Sequence, residues 1–169
     1  MIPFAREGEL VTARFSRGER ELLAALAGQL VALLEERAAE SPADVLYAQL
    51  GIGGSSAPPL DPALARLLPD AYRGDAEAAS EHRRFTELGL VDRKVANAHT
   101  VIRTVDTTVT VLDHSDVQAW LRHLTDLRLV LAARLQIEDD GYQGNGDEGM
   151  LDLYDWLGYL QGTLVEAIE

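Results

Sequence analysis

EHRRFTELGLVDRKVANAHTVIRTV, residues 81–105, admits two readings, and the choice between them decides the fold. Gly89 followed by Leu90 and then Val95 imitates the turn and second helix of a helix-turn-helix, with the β-branched run at 107–112 as a wing strand. Read as one helix capped by Asp75, the same stretch has an inner stripe of Phe85, Leu88, Val91, Val95, Ala98, Ile102 and Val105, at helical spacing. The position four before the turn glycine has to be small where two helices approach closely, and it holds Phe85. We therefore read one helix from Asp75 to about Thr104. Gly89 costs it about 1 kcal/mol relative to alanine, so a break or a close helix contact is expected there.

Outward from this helix the signals are mostly helical. Towards the N-terminus, Leu10 to Phe15 alternates with a period of two, which predicts a strand. Glu7-Gly8-Glu9 would turn a hairpin back to residues 2–6, and 107–112 supplies a second pairing partner. Ser16 stands three before Glu19, the capping-box spacing. A helix to about Glu40 follows, with Leu22, Leu23, Leu26, Leu30, Leu33 and Leu34 on its inner face. Ser41-Pro42-Ala43-Asp44 and Asp61-Pro62 each open a short helix, the first ending near Leu50 and the second closed by Pro69.

Towards the C-terminus, Asp113 or Ser115 caps a helix carrying Val117, Trp120, Leu121, Leu124, Leu127, Leu131 and Leu135. EDDGYQGNGDEG, 138–149, is a polar, flexible loop. A last helix from about Met150 to Ile168 has Leu153, Leu157, Leu160, Leu164 and Ile168 on one side, widened by Trp156 and Tyr159. The expectation is a mainly α fold, residues 1–169 as one domain. It has about five to six helices and a small antiparallel sheet of two or three strands, 10–15 pairing with 107–112.

Chemistry is harder to find. The glycine-rich stretch LGIGGSSAPPLD, 50–61, has no lysine for a Walker cradle, and Ser56 stands where a dinucleotide loop needs its third glycine. Pro58 and Pro59 remove backbone donors that an anion nest would use, so this loop turns a corner. Taken from Asp139, an EF-hand frame puts Gly141 and Met150, which offer no side-chain oxygen, and the weak ligand Gln143 where oxygen donors belong, which argues against calcium. His82, His99, His114 and His123 have no spacing of three or four that would bring two rings onto one helix face, and solvent or cap positions are expected for them. There is no G-x-S-x-G elbow. No catalytic residue, metal ligand or cofactor is assigned, and the chain is read as a non-enzyme.

Composition sets further bounds. In 169 residues there is no cysteine, so no disulfide, thiolate metal site or thiol switch can be intrinsic to this chain. Asp and Glu number 28 against 15 Lys plus Arg, a formal net charge of −13. That disfavours nucleic acid, which needs a basic footprint, and leaves direct DNA binding through 81–105 as the alternative. No run approaches a membrane span or a signal peptide, so a cytoplasmic location is expected.

Five blocks in order, LARLLPDAYR (64–73), RRFTELGL (83–90), KVANAHTVI (94–102), AWLRHLTDLRLVLAARL (119–135) and LYDWLGYLQGTLVEAI (153–168), resemble the actinobacterial family of unknown function DUF2017. The resemblance implies a cytoplasmic, non-enzymatic regulator of oxidative stress that acts with the transcription machinery through a sigma factor or RNA polymerase. A second reading that it admits is an adaptor in Clp-linked proteostasis. It carries over no active-site residues. For such a regulator the partner-binding candidates are Arg83, Arg84, Arg93 and Lys94 as an exposed basic stripe, and Trp156 and Tyr159 as apolar anchors. A homodimer is a further option for the partner.

Overall fold

The computed structural model describes residues 1–40, 46, 49–50, 53–138 and 147–169. Within them lie three strands and five helices. β1 (Ile2–Glu7) and β2 (Leu10–Arg14) form the expected hairpin, closed by Gly8, whose φ of 66° suits glycine. β3 (Val109–Leu112) pairs antiparallel on the other side of β2, with Val11 opposite Leu112 and Ala13 opposite Thr110. The inner face of this sheet brings Phe4 edge-on to Trp120 at 5.3 Å between ring centres. Phe15 stacks on the same indole at 6.1 Å. The indole N–H, which would be costly to bury unpaired, donates to Thr104 Oγ1 at 2.8 Å.

The helix starts follow their capping residues. α1 (Arg17–Ala39) opens on the reciprocal Ser16–Glu19 box, and α2 (Pro62–Leu67) on Asp61, whose carboxylate accepts from the Ala63 N–H at 2.8 Å. α3 (Ala76–Val105) is capped by Asp75. Asp113 and Asp116 form the box of α4 (His114–Arg134), and Asp147 caps α5 (Glu148–Ile168). α4 ends in a Schellman turn: Ile137 N–H bonds the Ala132 carbonyl at 2.9 Å while Gln136 takes a φ of 56°.

α3 is the axis of the molecule, with α1 packed on one side and α4 on the other; α5 lies on α4 and β1. Leu23, Leu30 and Leu34 from α1, Val101 and Val105 from α3, Trp120 and Leu124 from α4, and Leu157, Leu160 and Leu164 from α5 share one core. Each large apolar side chain removed from water stabilises the fold by about 1.5–3 kcal/mol.

α3 is the single helix expected, capped by Asp75, and two details of it need correction. The helix runs unbroken through Gly89, so the turn of a helix-turn-helix is not formed. With no proline and no cap beside it, one glycine weakens a helix without ending it. Phe85 is not on the inner stripe either; it is 47% exposed. The buried positions step instead through Ala79, Arg83, Glu87 and Val91. Residues two apart on a helix point about 200° apart, so turning Arg83 inward sends Phe85 outward. The short helix expected from Ser41 lies largely outside the described residues, as does most of the loop expected at 138–149.

Candidate partner-binding surface along α3 and α4

The first half of α3 holds a buried ion network. Glu87 takes the Arg37 Nε of α1 at 2.6 Å on one oxygen, and Arg83 Nη1 at 3.0 Å on the other. Arg83 also donates to the Leu68 carbonyl at 2.9 Å and to Asp70 at 2.7 Å, while its buried Nε has no partner among the described residues. Arg37 also donates to the Ala57 carbonyl, and its hydrogen bond to Glu87 holds the guanidinium still more firmly protonated. All three side chains are buried. Arg83, expected in an exposed stripe, is therefore internal, held by a carboxylate four residues on and a second one across the turn.

The glycine loop seats on this network. Gly53 and Gly54 N–H both donate to the Arg84 carbonyl, at 3.2 and 3.0 Å. A Cβ at Gly54 would stand 3.2 Å from Glu87 Cβ, so the missing side chain allows the close approach. Gly53 has a φ of 112°, a conformation other residues adopt only with strain. The donors that an anion nest would need are thus turned onto the protein's own helix.

The second half of α3 is different. Lys94 Nζ meets Asp126 Oδ1 of α4 at 2.6 Å, both groups mostly buried, so Lys94 also leaves the expected exposed stripe. Asp126 Oδ2 has no hydrogen-bond partner among the described residues. Burial raises the Asp126 carboxyl above its ordinary value, against the opposing pull of Lys94. One turn away, His123 is fully buried with neither ring nitrogen hydrogen-bonded within the described protein. Burial pushes this imidazole down to about 4, which keeps it neutral at physiological pH. His82, His99 and His114 are at the surface as expected; His123 is not, because it stands three residues after Trp120 on the inward face of α4.

Beside this pair runs a cleft of about 640 Å³ between α3 and α4. Arg93 lines it from α3 and Arg122 from α4, and both are exposed. Neither forms an ion pair with a described residue. Of the remaining candidates, Arg84 is exposed with its guanidinium 5.5 Å from the Phe85 ring centre. Trp156 is half-buried against the core, whereas Tyr159 is 50% exposed. Both sit on α5, across α4 from the α3 cations, so the six candidates are not gathered into one patch.

Sequence reasoning missed Arg37, Glu87, Arg122, His123 and Asp126. A signal was there for some of them. Leu23, Ala27, Leu30, Leu34 and Arg37 continue one stripe at steps of four and three, which marks Arg37 as inward-facing. No group of three His, Asp or Glu side chains among the described residues is placed to hold a metal ion. No described helix is long and apolar enough to cross a membrane.

Comparison with known proteins adds a lineage to this geometry. A family model described as "Domain of unknown function (DUF2017)" matches residues 1–168. Proteins named "Oxidative stress regulator AosR" from Mycobacterium bovis and Mycobacterium tuberculosis are each 34% identical over 180 residues, covering 95% of this chain and 83% of theirs. A Mycobacterium leprae relative is 34% identical over 170 residues, covering 89% of this chain and 78% of its own. No solved structure matches.

Proposed function

Since this chain belongs to the DUF2017 family, we propose that it regulates the oxidative-stress response by binding a protein of the transcription machinery, a sigma factor or RNA polymerase itself. The observation that carries this reading is similarity along nearly the whole chain to mycobacterial proteins named as oxidative stress regulators. The absence of cysteine gives the regulation a direction: the oxidative signal reaches this protein through its partner and not through a thiol of its own. Methionine offers little instead, with only Met1 and Met150 present.

The geometry supports a protein partner over DNA. The helix-turn-helix is replaced by one continuous α3. Of the five cations in that stretch, Arg83 and Lys94 are occupied by buried carboxylates and Arg103 by Asp116, which leaves Arg84 and Arg93 exposed without a described carboxylate. Two such arginines on a chain of net charge −13 make a poor phosphate footprint. Against a protein, the same acidic surface steers approach to basic faces, and Tyr159 supplies the aromatic type that interfaces use as anchors.

The test is direct binding of the purified chain to purified core polymerase, to holoenzyme and to each sigma factor of its source organism, read by interferometry at physiological ionic strength. The expected result is a saturable complex with one of them. Binding to none, together with salt-sensitive retardation of a promoter fragment, would overturn the proposal in favour of DNA.

A further inference from the structure

We propose that the cleft between α3 and α4 is a docking groove for an acidic peptide segment of the protein partner, with Arg93 and Arg122 clasping its carboxylates. This rests on the reading that the chain works by binding a protein. The first ground is charge. Acidic side chains outnumber basic ones 28 to 15, so an arginine has many carboxylates to find. Arg17, Arg37, Arg83, Arg103 and Arg134 each find one. Nine of the 14 arginines form no ion pair with a described carboxylate, and among these Arg93 and Arg122 line the same cleft from facing helices. Arginine's planar fork matches a carboxylate with two parallel hydrogen bonds, and it is the side chain favoured for such pairing at interfaces.

The second ground is the shape and lining of the cleft. α3 and α4 run antiparallel here, since Lys94 meets Asp126 while Arg103 meets Asp116. Leu90 and Leu129 therefore mark one end of the groove, and Arg93 and Arg122 lie further along it. An apolar end next to a basic stretch suits a chain segment that carries a leucine-like side chain beside its acids. A compact anion would leave the apolar end unused.

The third ground lies in the wall. Asp126 is buried and lines the cleft, with one oxygen on Lys94 and the other unpartnered within the described protein. A charged pair held beside the groove with spare acceptor capacity costs stability that an apolar pair would not. The idle oxygen itself is closed off from solvent; the partly exposed Lys94 ammonium is the member of the pair that a docked segment can meet. Asn97 and Thr125 line the same groove and extend the set of polar groups available to a peptide backbone.

The experiment uses the full chain and a fluorescein-labelled peptide alternating leucine with Asp-Glu pairs, followed by anisotropy. A control peptide carries Asn and Gln in place of the acids. The expected result is saturable binding of the acidic peptide that weakens as salt is raised, and no binding of the control. Arg93→Glu and Arg122→Glu should each weaken it about tenfold, as loss of a charge pair worth 1.4 kcal/mol does, while circular dichroism shows the fold intact. Equal binding by the Arg93→Glu/Arg122→Glu double variant would overturn the proposal, as would equal binding of the control peptide. Saturable binding of inorganic phosphate or of a single-stranded RNA oligonucleotide without the peptide would also overturn it. Failure here leaves the polymerase and sigma-factor measurement free to succeed through another surface, so the two readings fail separately.

Discussion

The two halves of α3 carry buried charge in opposite ways. In the first half, Glu87 sits between Arg37 and Arg83, further donors go to Asp70 and to the Leu68 and Ala57 carbonyls, and Arg83 Nε alone stays unpartnered among the described residues. In the second half, Lys94 has one carboxylate, that carboxylate has an idle oxygen, and the neighbouring histidine has no hydrogen-bond partner in the described protein. Buried polar groups ordinarily find partners. A network in which one carboxylate is shared by two buried arginines serves the fold, pinning α1 and the glycine loop to α3. The sparser pair of the second half borders a cleft lined by two exposed, unpaired arginines, the groove proposed for a partner segment.

The largest expected effect tests the first half. Glu87→Ala removes the one carboxylate shared by two buried guanidinium groups. Breaking a buried ion pair from one side typically costs about 3–5 kcal/mol. Urea denaturation should show a loss of that size, with faster amide exchange in the loop at Gly53 and Gly54. A loss under about 1 kcal/mol would mean the network is not structural.

Next comes the pH dependence of the second half. His123 has a folded-state value near 4 against 6.5 when unfolded. Between those values the unfolded chain takes up a proton that the folded one refuses, so stability is lost as pH falls through that window. The full difference is about 3 kcal/mol, at 1.36 kcal/mol per pH unit. Asp126 acts in the opposite sense. Its raised value means the folded carboxyl binds its proton more readily, a contribution present below about 3.8 and lost as pH rises through the raised value. Comparing wild type with His123→Leu cancels the carboxylates common to both. The variant should be the flatter between pH 6.5 and 4, and parallel curves would show that His123 finds its proton acceptor in the fold.

Asp126→Ala should cost less than Glu87→Ala, about 1–2 kcal/mol, although both remove a buried carboxylate. Lys94 is only partly covered and its long stem can carry the ammonium to water, an escape that neither Arg37 nor Arg83 has. Equal losses for the two variants would erase the contrast between the halves.

Much of this was legible in the sequence. The capping residues Ser16, Asp61, Asp75 and Asp113 gave helix starts that the structure repeats, because a cap is a local event that three or four residues decide. The hairpin and the pairing of β2 with β3 were read from alternation alone. The face of α3 was legible only in its second half, where Val91, Ala98 and Val105 are buried as expected. In its first half apolar residues are too sparse to fix a stripe, and what turns the helix there is a carboxylate between two arginines, one of them fifty positions away. Arg83 and Lys94 were misplaced for the same reason: composition says that arginines will find acids, but only the packing says which ones. Arg93 and Arg122, 29 positions apart by their numbers, become neighbours only when α3 and α4 pair.

The smallest effect on stability separates like from like. Arg83→Ala and Arg93→Ala remove the same side chain from the same helix. Arg83 is closed into the network, and its loss leaves Glu87 with Arg37 alone, Asp70 without its arginine and the Leu68 carbonyl without its donor. Arg93 touches no carboxylate of the described chain, and surface substitutions of that kind stay within about 0.5 kcal/mol. Urea midpoints should therefore drop clearly for Arg83→Ala and hold for Arg93→Ala. The order should invert for binding the acidic peptide, where Arg93→Ala weakens the complex and a folded Arg83 variant such as Arg83→Lys leaves it unchanged. If Arg93→Ala proves as destabilising as Arg83→Ala, the arginines of the cleft are framework, and the distinction between the two halves of α3 falls with them.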